Sequence, residues 1–176
     1  MFVLRQLSIL STVALLAFTL SCGGDPATPT AKVYRMGDRA VTGPITYVGL
    51  TAEYRAELPE AKGPLKHQYL VVFLSATNGG GQEATLPHTR LIGADGAEYP
   101  EVTEIENMGQ WMGVLRRVAP SSTEQGYVVF DVPVGAYKLQ VSSGGDPEKE
   151  QLAQIELPTK IVPATPPSVA GPALGN

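Results

Sequence analysis

Between residues 32 and 157 the chain alternates short apolar runs with turns rich in glycine and proline, a spacing that predicts strands. Residues 69–74 are continuously apolar, which predicts a central strand covered on both faces. Residues 48–55 alternate apolar with small or polar side chains, which predicts a strand whose buried face is formed by Val48, Leu50, Ala52 and Tyr54. The core of this fold is therefore expected to lie around these two runs.

Further runs of the same kind extend the pattern. Asp95 and Gly96 form a hairpin signal after one of them, and Pro133 and Gly135 end another. The predicted strands are residues 85–92, 127–132, 137–141 and 151–157. Six or seven short strands in one domain, residues 32–157, predict an all-β antiparallel sandwich.

One segment departs from the strand pattern. Thr103 and Glu106 have the spacing of a capping box at a helix start. Arg116 and Arg117 complement a helix dipole near its end. Apolar residues recur between them at helical spacing: Ile105, Met108, Met112 and Leu115. We therefore predict a short helix or an irregular crossover over residues 103–117.

The amino-terminal residues indicate export. Arg5 is their only charged side chain, and the 14 apolar residues 7–20 are too few for a transmembrane helix, which needs about 20. The following residues, Thr19, Leu20, Ser21 and Cys22, resemble a bacterial lipobox. The resemblance implies that residues 1–21 are a signal peptide and that Cys22 carries the lipid. The alternative, an uncleaved anchor helix, is disfavoured by its length.

Two segments flank the predicted domain. Residues 22–31 contain no large apolar side chain after Cys22 and predict a flexible tether, about 30 Å at full extension. By resemblance to proteobacterial sorting, Gly23 directs the lipoprotein to the outer membrane, or to the cell membrane in an organism with one membrane. Residues 158–176 hold five of the 15 prolines and predict a disordered tail.

The order of short motifs within the domain resembles a known family. Met36, Gly37 and Asp38 precede the run at residues 45–48, and the motifs continue with residues 69–73, 91–96 and 126–133. This order is similar to the immunoglobulin-like domain of unknown function 4352, over about residues 34–142. The resemblance implies an immunoglobulin-like β-sandwich and brings no catalytic residues.

The composition argues against several classes of function. The chain has one cysteine and two histidines, His67 and His88, whereas a zinc site needs three or four converging ligands. The net charge of −4 provides no basic face for nucleic acid. Ser121 and Ser122 lie outside any Gly-x-Ser-x-Gly motif. We therefore expect no enzyme, no cofactor, no metal and no nucleic-acid partner.

The best functional candidates lie in the 103–117 segment. Trp111 is the only tryptophan and is flanked by Met108 and Met112, with Arg116 and Arg117 nearby. This composition is typical of protein-interaction hot spots. In the alternative interpretation, Trp111 only plugs an open end of the sandwich.

Two functions remain open from these residues. The first is a lipid-anchored accessory module that binds another envelope protein. The alternative is a periplasmic ligand or metal carrier, in which the thioethers of Met108 and Met112 and the two histidines hold copper.

Overall fold

The structure is a computed structural model that describes residues 31–158. The predicted signal peptide, Cys22, the tether up to residue 30 and the tail from residue 159 lie outside the described residues. The described range contains no helix, and hence none that could cross a membrane. Its strands are β1 Lys32–Arg35, β2 Ala40–Thr42, β3 Ile45–Arg55, β4 Gln68–Asn78, β5 Ala84–Thr85, β6 Arg90–Gly93, β7 Glu98–Pro100, β8 Arg117–Val118, β9 Thr123–Val132, β10 Tyr137–Ser142 and β11 Leu152–Glu156.

Two sheets form a β-sandwich. The first has the strand order β1-β11-β10-β6-β7 and the second has the order β2-β3-β4-β9. β5 and β8 form a separate two-stranded pair. β1 and β11 run parallel, and the other paired strands run antiparallel. The predicted all-β sandwich is confirmed, with eleven strands among the described residues where six or seven were expected.

The main core fills the space between the two sheets. Alternate residues of each strand point inward, as expected for two packed sheets. The largest fully buried side chains of this core include Ile45, Tyr47, Leu74, Phe130, Leu139 and Ile155. At about 1.5–3 kcal/mol for each large apolar side chain, this burial is the principal stabilising term.

β3 corrects one predicted buried face. Its pairing with β4 shifts register between Gly49 and Thr51, so that Leu50 sits in a β-bulge and is 41% exposed. Tyr47 before the bulge and Tyr54 after it are both buried. An extra residue reverses the alternation. Val48 and Leu50 therefore do not belong to the buried face, contrary to the sequence pattern.

β4 is covered on both faces, as its continuous apolar run predicts. One face contacts the main core. The other face contacts a second cluster, here called the outer cluster, which consists of Leu58, Tyr69, Val71, Ile105 and Val129. Irregular segments around residues 58–62 and 101–112 cover this face in place of a third sheet.

The helix predicted over residues 103–117 is wrong. Asn107, Gln110 and Gly113 have φ angles of 61°, 58° and 72°, which a right-handed helix does not allow. Ile105 forms a β-bridge with Ala61 instead of continuing a helical turn. The segment is the irregular crossover that was the other form of the prediction. Its backbone groups bind neighbouring segments, so they do not bind each other in a helix.

The remaining strand predictions are mostly confirmed. The predicted hairpin at Asp95 joins β6 to β7, and Gly96 adopts a φ of 82° there. β9, β10 and β11 coincide with predicted runs. The run at residues 85–92 divides instead between β5 and β6, which belong to different sheets. Pro87, which has no backbone N–H, lies in the connection between them.

Candidate binding groove at the edge of the sandwich

The crossover, residues 101–116, connects β7 to β8 and lies along the edge of β9. Val102 donates its N–H to the carbonyl of Val129 at 2.7 Å. Farther along, Tyr127 donates to the carbonyl of Gln110 at 2.7 Å and accepts from the N–H of Met112 at 3.1 Å. The crossover is therefore attached to β9 by backbone hydrogen bonds at two places.

Gly126 permits this close approach. A Cβ atom at this position would lie 2.5 Å from the carbonyl oxygen of Gln110 and 2.6 Å from Cγ of Met112. Neither distance is compatible with a side chain. Glycine at this position in β9 therefore allows the crossover to reach the strand.

A buried ion pair joins the two ends of the crossover. The guanidinium of Arg116 forms a bidentate contact with the carboxylate of Glu101, with one Nη1–Oε1 distance of 3.0 Å. The two side chains are 3% and 1% exposed. Thr89 donates both its N–H and its hydroxyl to Oε1 of Glu101. Such a pair is costly to break, because one unpaired charge would remain buried.

The ion pair also determines the shape of the loop before Arg116. Its Nε donates to the carbonyl of Gly113 at 2.7 Å, which closes a tight turn over residues 113–116. The two side chains between these residues point to solvent: Val114 is 48% exposed and Leu115 is 83% exposed. Buried Arg116 thus holds a turn that exposes Val114 and Leu115. These two residues are here called the apolar loop.

Tyr47 is buried near the ion pair of Arg116 and Glu101. Tyr47 is buried and donates its hydroxyl to the carbonyl of Ser142 at 2.8 Å. Burial raises the pKa of Tyr47 well above its ordinary value, and the charge of Arg116 opposes this rise. The phenol of Tyr47 and the ion pair therefore share one buried region at this end of the sandwich.

A groove of about 260 Å³ lies between β8 and the beginning of β9, beside the apolar loop. Trp111 and Met112 lie on one side of it, and Glu124 and Gln125 of β9 lie on another. The remaining lining residues are Leu115, Arg116, Arg117 and Val118. The groove thus brings together four of the five residues predicted as a binding patch.

The five predicted residues have different environments. Met108 and Trp111 pack against the outer cluster, whereas Met112 packs against the main core. Arg117 is exposed and lies 3.6 Å from Oε1 of Glu83. Arg116 is buried, so Arg117 is the exposed one of the two arginines predicted in the patch. Cys22, the predicted lipid site, lies outside the described residues.

Trp111 lies on the outer face of β4 and β9 and therefore does not plug an open end of the sandwich. Its ring is half-buried in the outer cluster, and it also lines the groove. Its Nε1 is buried and has no hydrogen-bond partner among residues 31–158. The indole therefore contributes to packing and to the groove surface at once.

Sequence reasoning missed the exposed position of Leu115 and the role of Glu101. The helical spacing of Leu115 with Ile105 and Met112 indicated a helix there and gave no sign that Leu115 is exposed. Gly113, a turn residue two positions earlier, was the available signal. No local signal identifies Glu101 as the partner of Arg116, since 15 residues separate them.

The histidines and methionines considered for copper are dispersed. His67 lies 3.5 Å from Asp131 at one end of the sandwich, and His88 lies 3.8 Å from Glu101 at the other. Met108 and Met112 pack against different clusters. Within residues 31–158, no three His, Cys, Asp or Glu side chains are grouped closely enough to share a metal ion.

A second groove of about 340 Å³ lies at the opposite end of the sandwich. Tyr137 lines it, donates to the carbonyl of Pro133 at 2.8 Å and packs edge-on against Tyr99. Burial raises the pKa of Tyr137 to about 12, with smaller contributions from Tyr99 and Tyr54. These tyrosines close the end of the core, and no exposed apolar loop comparable to that of Leu115 borders this groove within the described range.

Comparison with known proteins gives a family and a fold. The family model of the domain of unknown function DUF4352 matches residues 38–151. No curated protein matches the sequence. The yjhA protein from Bacillus subtilis is similar in structure, with a TM-score of 0.56 and 13% identity over 71% of this chain and 99% of that chain.

A second structural neighbour is described as a candidate lipoprotein, ycdA, also from Bacillus subtilis. It has a TM-score of 0.52 and 16% identity. The alignment covers 65% of this chain and 37% of that chain, so the chain spans little more than a third of the length of this neighbour. At these identities the likeness shows the fold alone.

Proposed function

Because the chain belongs to the DUF4352 family, a family without an established activity, we propose a function from the groove itself. The protein is a non-catalytic binding module, anchored by lipid at the cell envelope, and the apolar loop with its groove is the face that contacts a partner protein. The observation that carries the proposal is the 83% exposure of Leu115 on a loop fixed by a buried ion pair.

The arrangement has two properties of a binding site. Single exposed apolar residues are common on protein surfaces, but here Leu115 lies beside Val114 and next to a groove bordered by Trp111 and Met112. The loop is also held in one conformation by Arg116. A preorganised loop loses less conformational entropy when it binds, so more of its burial contributes to affinity.

The contact face is tested by site-specific photocrosslinking in intact cells. A photoreactive amino acid is placed at Leu115 and, in a matched control, at Val134, which is 45% exposed on the turn between β9 and β10. We expect a discrete protein adduct from position 115 that position 134 does not give. Equal adducts from both positions, or none from 115, would refute the proposed face.

The purified partner then provides a quantitative test. Burying one leucine contributes about 1.5–3 kcal/mol, so Leu115→Ser is expected to weaken binding by roughly 10- to 100-fold. Val134→Ser serves as the matched control and should retain the wild-type affinity. Equal affinities for the two variants would show that Leu115 does not contact the partner.

The lipid anchor is supported by the sequence. The short apolar segment at residues 7–20 and the lipobox-like residues before Cys22 belong to an export signal. Two or more acyl chains hold a protein stably at a membrane, whereas one does not. The description of the neighbour ycdA is compatible with this assignment.

Metabolic labelling tests the anchor. Labelled palmitate should enter the wild-type chain and fail to enter Cys22→Ser, and fractionation should find the wild type with the outer membrane in a two-membrane organism. Label that persists in Cys22→Ser would place the lipid elsewhere. A wild-type chain without label would refute the anchor.

A further inference from the structure

β9 has an edge that is only partly occupied. It pairs with β4 on one side, and on the other side its Tyr127 and Val129 bind the crossover. In a strand, alternate residues direct both backbone groups to the same edge. Gln125 and Thr123 therefore direct their N–H and C=O groups to the same edge as Tyr127.

These groups are unpaired. Among residues 31–158, no hydrogen bond is formed by the edge-facing backbone N–H or C=O of Gln125 or Thr123. Both residues are exposed. A short row of free donors and acceptors thus continues the line along which the crossover already pairs with β9.

The groove lies directly beside this row. Gln125 lines it together with Met112 and Leu115. Its volume of about 260 Å³ is below the roughly 300–1,000 Å³ typical of small-molecule sites. The space therefore suits one or two side chains of a polypeptide better than a whole small ligand.

We propose that the edge of β9 at Thr123 and Gln125 accepts an extended peptide segment of the partner protein, which adds a strand there and places one of its side chains in the groove. Backbone hydrogen bonds supply affinity in this mode, and the groove supplies selectivity for the side chain. The inference rests on the proposed binding face and specifies the chemistry of its partner.

The test uses a random octapeptide library displayed on phage and the purified full chain. Enriched peptides are synthesised and their affinities are measured for two variants. Gln125→Pro removes the edge-facing N–H, and proline is tolerated on a free strand edge. Gln125→Ala trims the same side chain and keeps the N–H, so that comparing the two isolates one backbone hydrogen bond.

We expect peptide affinity to be about tenfold lower for Gln125→Pro than for Gln125→Ala, with equal melting temperatures for the two variants. Bound peptide should also slow amide hydrogen exchange at Gln125 and Thr123 in the wild type. Equal peptide affinities in the two variants, or unchanged exchange at both amides, would overturn strand addition. A library without enriched peptides would overturn it as well.

Two further outcomes separate this inference from the proposed function. If crosslinking at Leu115 identifies a partner whose affinity is the same for Gln125→Pro and Gln125→Ala, the binding face stands and strand addition is wrong. If the chain dimerises in sedimentation analysis through this edge and the peptides do not compete, a second copy occupies the edge and the inference is overturned.

Discussion

Replacing Arg116 by methionine tests whether the buried ion pair holds the crossover in place. The substitution keeps the length of the side chain and removes the charge. The carboxylate of Glu101 would keep the two hydrogen bonds from Thr89 and lose both contacts with the guanidinium. Loss of its guanidinium partner from a buried carboxylate destabilises a protein by about 3–5 kcal/mol, and His88, 3.8 Å from Oε2 of Glu101, replaces that partner only when its ring is protonated.

This free energy corresponds to a large shift in melting temperature. A folded unit of about 130 residues has an unfolding entropy of about 0.27 kcal/mol/K, at about 2.1 cal/mol/K per residue. Arg116→Met is therefore expected to lower the melting temperature by about 11–19 °C. Arg117→Met is the matched control, because Arg117 is 68% exposed and its contact with Glu83 contributes about 0–1 kcal/mol.

A double variant separates the charge from the packing. Glu101→Gln removes the negative charge and still accepts hydrogen bonds from Thr89. The double variant of Glu101→Gln and Arg116→Met should regain at least half of the free energy of unfolding that Arg116→Met alone loses, because no buried charge then remains unpaired. Urea unfolding at neutral pH measures all four free energies.

Two results would refute the reasoning. The first is an Arg116→Met variant that melts within about 4 °C of the wild type, since the pair would then contribute no more than a surface contact. The second is a double variant whose destabilisation equals the sum of the two single changes, since the two charges would then act independently.

Three further predictions follow from the same structure. Gly126→Ala should detach the crossover from β9, lower the free energy of unfolding by about 1–3 kcal/mol and shift the fluorescence of Trp111 to the red, while the circular dichroism of the β-sheets is retained. Unchanged Trp111 emission would contradict the role of Gly126. Asn78→Asp should lower the free energy of unfolding in urea by at least about 2 kcal/mol, because a carboxylate cannot donate the hydrogen bonds that Nδ2 of Asn78 gives to the carbonyls of Gln82 and Val118, at 2.7 and 3.0 Å. An unchanged unfolding midpoint would contradict this. Burial raises the pKa of Tyr137 to about 12, so the unfolded chain releases this proton near pH 10 while the folded chain keeps it, and the stability should fall as the pH rises from about 10 to 12. Urea unfolding across this pH range should show a smaller fall in the free energy of unfolding for Tyr137→Phe than for the wild type. An identical fall in both proteins would show that Tyr137 does not cause the pH dependence.

The class of fold was predictable from the sequence because strands have a local signature. Alternation with period two, turn residues such as Asp95 and Gly96, and the continuous run of β4 each depend on a few neighbouring residues. Those features predicted the positions of β4, β9, β10 and the hairpin, all of which the structure contains. The bulge at Leu50 was not predictable in the same way, because one extra residue in a strand leaves the apolar composition unchanged.

The candidate site was predictable only in part. Trp111 and Met112 attracted attention by their residue type, and both border the groove. Their spacing also suggested a helix, but spacing does not reveal on which surfaces of the sheets the segment can pack. Here the outer face of β4 and the edge of β9 were both available, and the segment divided its apolar residues between two clusters.

The sequence by itself determined the strand pattern and supplied the features on which the proposed export signal and lipid site rest, since these depend on local order or composition. Only the tertiary structure decided that Arg116 is buried against Glu101 and that Leu115 is displayed beside a groove. The physical reason is that burial and charge pairing depend on residues distant in the chain. Whether an apolar or charged side chain serves packing or recognition is therefore determined by what the fold places next to it.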